Sequence, residues 1–305
     1  MRGTPGTPIR QRHEVACDGC GAVLLVEADH RSTTCPFCAS PAIVERPHTE
    51  TPEPVFVLGF ATTREEAAGA VRAWIRSRGV FTRSDFRRAA LERTEGIYTP
   101  TWLYGALARS VYRAEIGEDY EYVTLDEASL TSENATEWVP FVGRWAGYIQ
   151  DIVVTGSRAI PNDALEAIEP YPLGELRRYD AAIIAGWTAE EPTLDRATCF
   201  ALAHDEAEQR VTRALHAFMP GDRHRRLAHE TTFLEESLDL VLLPVWSFAA
   251  RYHPSKPPVR ILVNGVTGAV HGDVPRSWIK IGLAVLLALA AVATVALTIG
   301  MALTT

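Results

Sequence analysis

Apolar residues are arranged along this chain in three ways, and each predicts a different element. At the far end, residues 281–305 read IGLAVLLALAAVATVALTIGMALTT, with no charge, and eleven of them are Leu, Ile or Val. A helix rises 1.5 Å per residue, so about twenty residues cross the ~30 Å hydrocarbon core of a bilayer. The run therefore predicts one transmembrane helix over 278–303. A core helix of this length would carry a polar stripe, and none is present. Ala284 and Ala288 form a small-xxx-small pair of the kind that packs helices together in lipid.

The middle of the chain shows helical and extended periods in alternation. Residues 45–54, with three prolines and alternating charge, have linker composition. Residues 55–60 predict a short buried strand. Thr63 and Glu66 then form a capping box for a helix to about Arg78, with Ala67, Val71, Trp74 and Ile75 on one face. Ser84 is placed to cap a second short helix to about Arg93. After Tyr98-Thr-Pro-Thr-Trp102, residues 111–116 and 120–124 read as extended, 125–136 as a polar loop, and 138–157 as strand. A similar order follows. Ile184-Ala-Gly-Trp187 resembles Leu58-Gly-Phe60, a longer helix runs from about Thr193 to Phe218, and Leu243-Pro-Val-Trp246 answers the first Pro-x-Trp. A hairpin then turns at Asn264-Gly265. The recurrence predicts a duplicated α+β body over 55–275, with halves at 55–157 and 158–275.

Five cysteines occur, four of them in the first 38 residues, as Cys17-Asp-Gly-Cys20 and Cys35-Pro-Phe-Cys38. Each pair is a tight turn that aims two thiolates at one cation, and two such turns complete a tetrahedral site. This spacing reads as metal ligation in a reducing compartment rather than a secreted disulfide framework. One structural Zn2+ per chain is the expectation, with iron or disulfides as the alternatives. The ribbon spans 13–44 behind a loose tail at 1–12. It is too small to build an adequate core, so the metal supplies most of its folding energy. With the proline-rich linker between them, ribbon and body are expected to have separate cores.

Composition narrows the function classes. Hydrophobic residues make up 47% and charged residues 22% of the chain, a globular composition, and the net charge of −8 argues against nucleic acid as the general partner. The first fifteen residues contain no apolar h-region, so no signal peptide is expected. Arg276 and Lys280 precede the apolar run, Trp278 sits where an interfacial aromatic belongs, and no charge follows. The positive-inside rule then gives a single pass through the inner membrane with a cytoplasmic N-terminus.

Other groupings are less specific. His204, His216, His224 and His229 are spaced poorly for ligands on one helix face, and a solvated face is the expected reading. Cys199 reads as a small buried hydrophobe. No nucleophile elbow, phosphate loop or dinucleotide fingerprint occurs, so no enzyme is expected. Seven Arg from Arg72 to Arg93 face only Asp85 and Glu92. That excess suits anionic lipid, nucleic acid or plain solvent.

The ribbon, Tyr98-Thr-Pro-Thr-Trp102, Leu243-Pro-Val-Trp246, Leu262-Val-Asn-Gly-Val-Thr-Gly268 and the terminal helix together resemble a bacterial family. Its members are membrane-anchored proteins with a transcription-factor-IIB-type zinc ribbon, often labelled replication restart helicase-like. Cys17, Cys20, Cys35 and Cys38 match the ribbon pattern one by one. The resemblance implies a role in recruiting SPFH-domain or phage-shock-protein-A-like partners to the membrane. No ATP-binding loop supports a helicase. The combined reading is an α+β, non-enzymatic, membrane-anchored zinc-ribbon adaptor for cytoplasmic or membrane-associated proteins. The alternative is a membrane-tethered nucleic-acid-binding ribbon.

Overall fold

A computed structural model describes residues 12–17, 19–27, 35, 37–38, 43–46, 52–126 and 129–303. The expected tail up to residue 11, the turn near 29–33 and linker positions 47–51 lie outside these residues. In chain order the elements are β1 (Arg12–Cys17), β2 (Val23–Glu27), β3 (Ile43–Arg46), β4 (Phe56–Val57), α1 (Arg64–Ser77), β5 (Ala90–Asp126), β6 (Ser129–Thr155), α2 (Asn162–Glu166), β7 (Arg177–Arg178), β8 (Thr188–Glu190), α3 (Arg196–Phe218), β9 (Arg223–Arg251), β10 (Val259–Asn264), β11 (Val270–Gly272) and α4 (Trp278–Leu303). The protein is mixed α/β, and its strands join in one eleven-stranded sheet.

The centre of that sheet is the antiparallel pair β5–β9, matched from Ala90 opposite Arg251 to Gly117 opposite Arg223. Side chains alternate across a strand, so the register sends one set to each face. Trp102, Tyr104, Ala106 and Ala108 of β5 meet Cys199, Ala203, Ala207, Val211 and Leu215 of α3. The four-residue spacing of that helical stripe, with small residues at three of its five positions, brings the helix axis close to the sheet. On the same face, Trp246, Phe248 and Ala250 of β9 meet Ala67, Val71 and Ile75 of α1. On the other face, Ile97, Val241, Leu243 and Val245 pack on residues 159–171 and on the cysteine turns.

Segments of the two expected halves, 55–157 and 158–275, meet in matching ways. Tyr98 pairs with Pro244 and Pro100 with Leu242, so the two Pro-x-Trp stretches lie antiparallel and in matched register. β8 adds in parallel to Ile97 and Tyr98. β4 adds in parallel to Val241 and Leu242, which precede Pro244 by the same three and two residues that Ile97 and Tyr98 precede Pro100. The helices cross over: α1 of the first half covers Trp246 and β10, and α3 of the second covers Trp102 and β6.

Local expectations fare unevenly. α1 has the reciprocal Thr63–Glu66 capping box, with Thr63 N–H donating to Glu66 Oε2 at 2.8 Å and Glu66 N–H to Thr63 Oγ1 at 3.3 Å. The helix expected after Ser84 is only a 3-10 turn at Phe86–Arg88, capped by Asp85, because β5 already begins at Ala90. Of the loop expected at 125–136, the described residues 125–126 and 129–136 are strand instead, with β5 and β6 paired out to Asp126 opposite Ser129. Beyond Gly117 no third strand joins the hairpin among the described residues, and Tyr120, Tyr122 and Val123 are exposed there. Register shifts within β5, between Gly105 and Leu107 and between Arg113 and Glu115, bend this long pair. Glu45 and Arg46, expected in the linker, belong to β3.

α4 is a 26-residue helix. Its side chains are described through Val292, and among the described residues no helix is long and apolar enough to cross a membrane. The span expected over 278–303 is thus present as a helix, but not as a span within those residues.

Phe60, Tyr98, Trp187 and Trp246 form one aromatic cluster, with Phe60 stacked on Trp187 at 4.2 Å. Gly96 permits it, because a Cβ there would overlap the Trp187 ring and lie 3.1 Å from Phe60. Gly96→Val is expected to destabilise the protein by about 1–3 kcal/mol through overpacking. Denaturant unfolding followed by tryptophan fluorescence measures this, and an unchanged midpoint would contradict the packing described.

Candidate metal centre

Cys17 closes β1, and the chain reverses at once. Gly21 N–H donates to Cys17 O and Cys17 N–H to Ala22 O, both at 2.9 Å. Gly21 has φ +75°, a left-handed conformation that glycine adopts without a Cβ penalty. The turn brings Cys20 alongside Cys17, and the second turn delivers Cys35 and Cys38. All four Sγ atoms lie within 4.8 Å of one another, with Cys17–Cys38 and Cys20–Cys35 both at 3.5 Å. Bonds of about 2.3 Å to a tetrahedral metal would set Sγ–Sγ edges near ~3.8 Å, so the cluster has the right size for one ion.

Electrostatics favour a cation here. Cys17 and Cys35 are buried, and Cys20 and Cys38 half-buried. Hydrogen bonding between Cys20 and Cys35 lowers Cys35 and raises Cys20, with burial raising both. Two thiolates packed together in a buried site without a positive charge repel each other and are poorly solvated. A bound divalent ion removes that conflict. These four cysteines are the one group of three or more metal-ligating side chains brought together among the described residues.

The cluster is not an appendage. Cys17, Ala22, Cys35 and Phe37 belong to the same core as Leu58, Ile97, Ile160, Leu243 and Leu262. β2 pairs with β8 through Leu24 opposite Glu190 and Leu25 opposite Ala189, and Glu191 N–H donates to Val23 O at 2.9 Å. The expected separation of ribbon and body cores is corrected by this packing.

Glu190 was not singled out by the sequence. Two adjacent glutamates there look like ordinary surface charge, and strand alternation turns one of them inward. Glu190 is 2% exposed, accepts a hydrogen bond from the Ser157 hydroxyl at Oε1, and leaves Oε2 without a partner. Burial pushes it up to about 8, against the opposing pull of Ser157.

The other candidates disperse. His204 and His216 lie on α3, while His224 and His229, expected in a helical region, lie on β9. His216 Nδ1 sits 2.7 Å from His224 Nε2, and His229 lies between Thr212 and Thr231. Cys199 is fully buried and raised to about 11 by burial. In the basic stretch, Arg83 pairs with Asp85 at 2.6 Å and Arg93 with Glu95 at 2.7 Å, whereas Arg76, Arg87 and Arg88 are exposed.

No protein-family model matches the chain, and no solved structure matches it. The uncharacterized protein YdjG of Bacillus subtilis (strain 168) is 27% identical over 236 residues. The match covers 75% of this chain and 65% of that protein, so the chain spans less than two thirds of the relative's length.

Six of the seven tryptophans lie in the body between Trp74 and Trp246, the seventh is Trp278 of α4, and none lies in the cysteine turns, so their fluorescence reports on the rest of the fold. Replacing Cys20 and Cys38 together with Ser should lower the tryptophan-monitored unfolding free energy by several kcal/mol, because the shared core loses one wall. An unchanged midpoint would mean separate cores after all. Glu190 gives a second expectation. Its folded pKa of about 8 exceeds the ordinary value near ~4.3, so between these limits the native state holds a proton that the unfolded chain has released. Stability should fall as pH rises from about 4 to 8, and Glu190→Gln should flatten that fall in melts taken across the range.

Proposed function

We propose that this chain is a non-enzymatic adaptor held at the cytoplasmic face of the inner membrane by α4, with one structural Zn2+ bound by Cys17, Cys20, Cys35 and Cys38. The observation that carries the reading is the exposure of α4. Leu286, Leu287, Leu289 and Val292 are between 61% and 67% exposed, and Ile279 is 86% exposed. A contiguous apolar surface of this kind requires lipid or a partner. The sequence continues uncharged to Thr305, long enough to span, with Arg276 and Lys280 at its near end.

Zinc is favoured by four thiolate donors at tetrahedral spacing. A site closed by four protein ligands has no open position for substrate, so its contribution is to the fold rather than to a reaction. In the adaptor reading the body presents surfaces to protein partners of the SPFH-domain or phage-shock-protein-A-like kind. The uncovered face of the β5–β6 arm supports this, with Val111, Val142 and Tyr148 between 60% and 75% exposed.

Metal analysis of the purified protein should find one zinc per chain. In intact cells a reporter fused ahead of Met1 should resist added protease, and digestion would reverse the topology. A chain ending at Ser277 should leave the membrane on alkaline extraction and carry its partner with it. A partner that stays membrane-bound in cells expressing only that chain would remove the recruiting role.

A further inference from the structure

The loop after α1 is tied to the root of α4. Ser277 N–H donates to Phe81 O at 2.7 Å, Arg83 N–H to Pro275 O at 3.1 Å, and Lys280 Nζ to Thr82 O at 2.8 Å, while Thr82 and Arg276 form a β-bridge. These bonds fix the tip of the loop beside the helix. Its two apolar residues nevertheless face outward, Val80 at 70% and Phe81 at 46% exposure. A cleft of about 440 Å3 separates Val80, Phe81 and Arg87 from Lys280, Leu283 and Leu287.

Depth along α4 gives this arrangement a meaning. At 1.5 Å per residue, Leu283 lies about 5 Å and Leu287 about 10 Å beyond Lys280 along the axis. With α4 in a bilayer and Lys280 among the headgroups, the far wall of the cleft stands at the boundary between headgroups and acyl chains. That is the depth at which interfacial apolar side chains come to rest. Arg87 and Lys280 line the same cleft, and exposed Arg276 and Arg88 adjoin it in sequence. The patch is apolar at its tip and basic at its rim, on a protein whose net charge is −8.

The geometry points to the Val80–Phe81 loop as a second membrane contact. It inserts at the acyl boundary beside α4, with the basic rim on anionic lipid headgroups, and so fixes how the body stands on the bilayer. This inference rests on the reading that α4 spans the membrane. It assigns the surplus of arginines in residues 72–93 to lipid through Arg87 and Arg88, while Arg83 and Arg93 serve local ion pairs.

The test uses the full chain in nanodiscs of phosphatidylcholine, with or without phosphatidylglycerol, and a photoreactive residue at position 81, 286 or 148. The expected result is lipid cross-linking from 286 and 81 and none from 148, an exposed position on the β arm. Cross-linking from 286 without 81 overturns the second contact and leaves the span intact. Failure at both 81 and 286 overturns the span and the inference with it. Equal cross-linking at 148 and 81 also counts against the inference, since the loop would then be no more membrane-seated than the arm. Arg88→Glu with Arg276→Glu should lower the yield at 81 in anionic discs by roughly fivefold per charge and leave it unchanged in zwitterionic ones. Equal yields in both bilayers would overturn the headgroup part.

Discussion

The pairing of β5 with β9 is the constraint on which the remaining structure depends. Residues 240–250 of β9 are all buried, so neither face of the strand is spare. One face supports both long helices and the other supports the cysteine turns. A slip of one residue would exchange the two sets of side chains and remove both supports together. Several polar groups caught between them are satisfied locally: Thr101 Oγ1 donates to Val241 O at 3.0 Å, and Asn264 Nδ2 donates to Ile168 O at 2.9 Å, whereas Thr99 Oγ1 and Trp102 Nε1 are buried without a partner among the described residues. Such bonds contribute modestly when made, but their loss in a dry core is costly.

The placing of the four-cysteine cluster follows from the same constraint. β2 reaches the central sheet only through β8, which itself lies beside Ile97 and Tyr98. Phe37 at 1% exposure and Cys35 at 0% are covered by residues that β5 and β9 hold in place. A ribbon too small to enclose its own core has borrowed one from the body. In return, the cysteine turns close a sheet face that would otherwise meet water.

What could be read from residue order was whatever is encoded over short distances. The Thr63–Glu66 box, the face of α1, the helix from about Thr193 to Phe218 and the two Cys-x-x-Cys turns each lie within one element or turn, so local pattern alone identifies them. The strand at 125–136 does not. Its described side chains, 132–136, are not buried, and it is held by cross-strand pairs such as Tyr122 with Glu133 and Thr136 with Asp119. The start of β9, Arg223-His-Arg-Arg-Leu-Ala-His-Glu, reads as a charged helix until its partner is known, when Arg225 and Arg226 both reach Glu115. The junction of ribbon and body was hidden for the same reason, because no local pattern marks which surface a small sheet will join.

The exchange of helices between halves has a consequence for how the chain folds. Residues up to 157 include α1, β5 and β6, yet much of the apolar surface under α1 is Trp246, Phe248 and Ala250 of β9 with Ile261 and Val263 of β10, and the surface of Trp102 awaits α3. Neither half therefore owns a complete core. During synthesis the first half must remain open until more than a hundred further residues have emerged, and closure then depends on contacts between positions far apart in sequence, such as Leu91 with Ala250. Such non-local closure is intrinsically slow. It also leaves edges through which two incomplete chains can trade halves, so crowding at the point of synthesis is a hazard built into the same arrangement that makes the finished body a single cooperative unit.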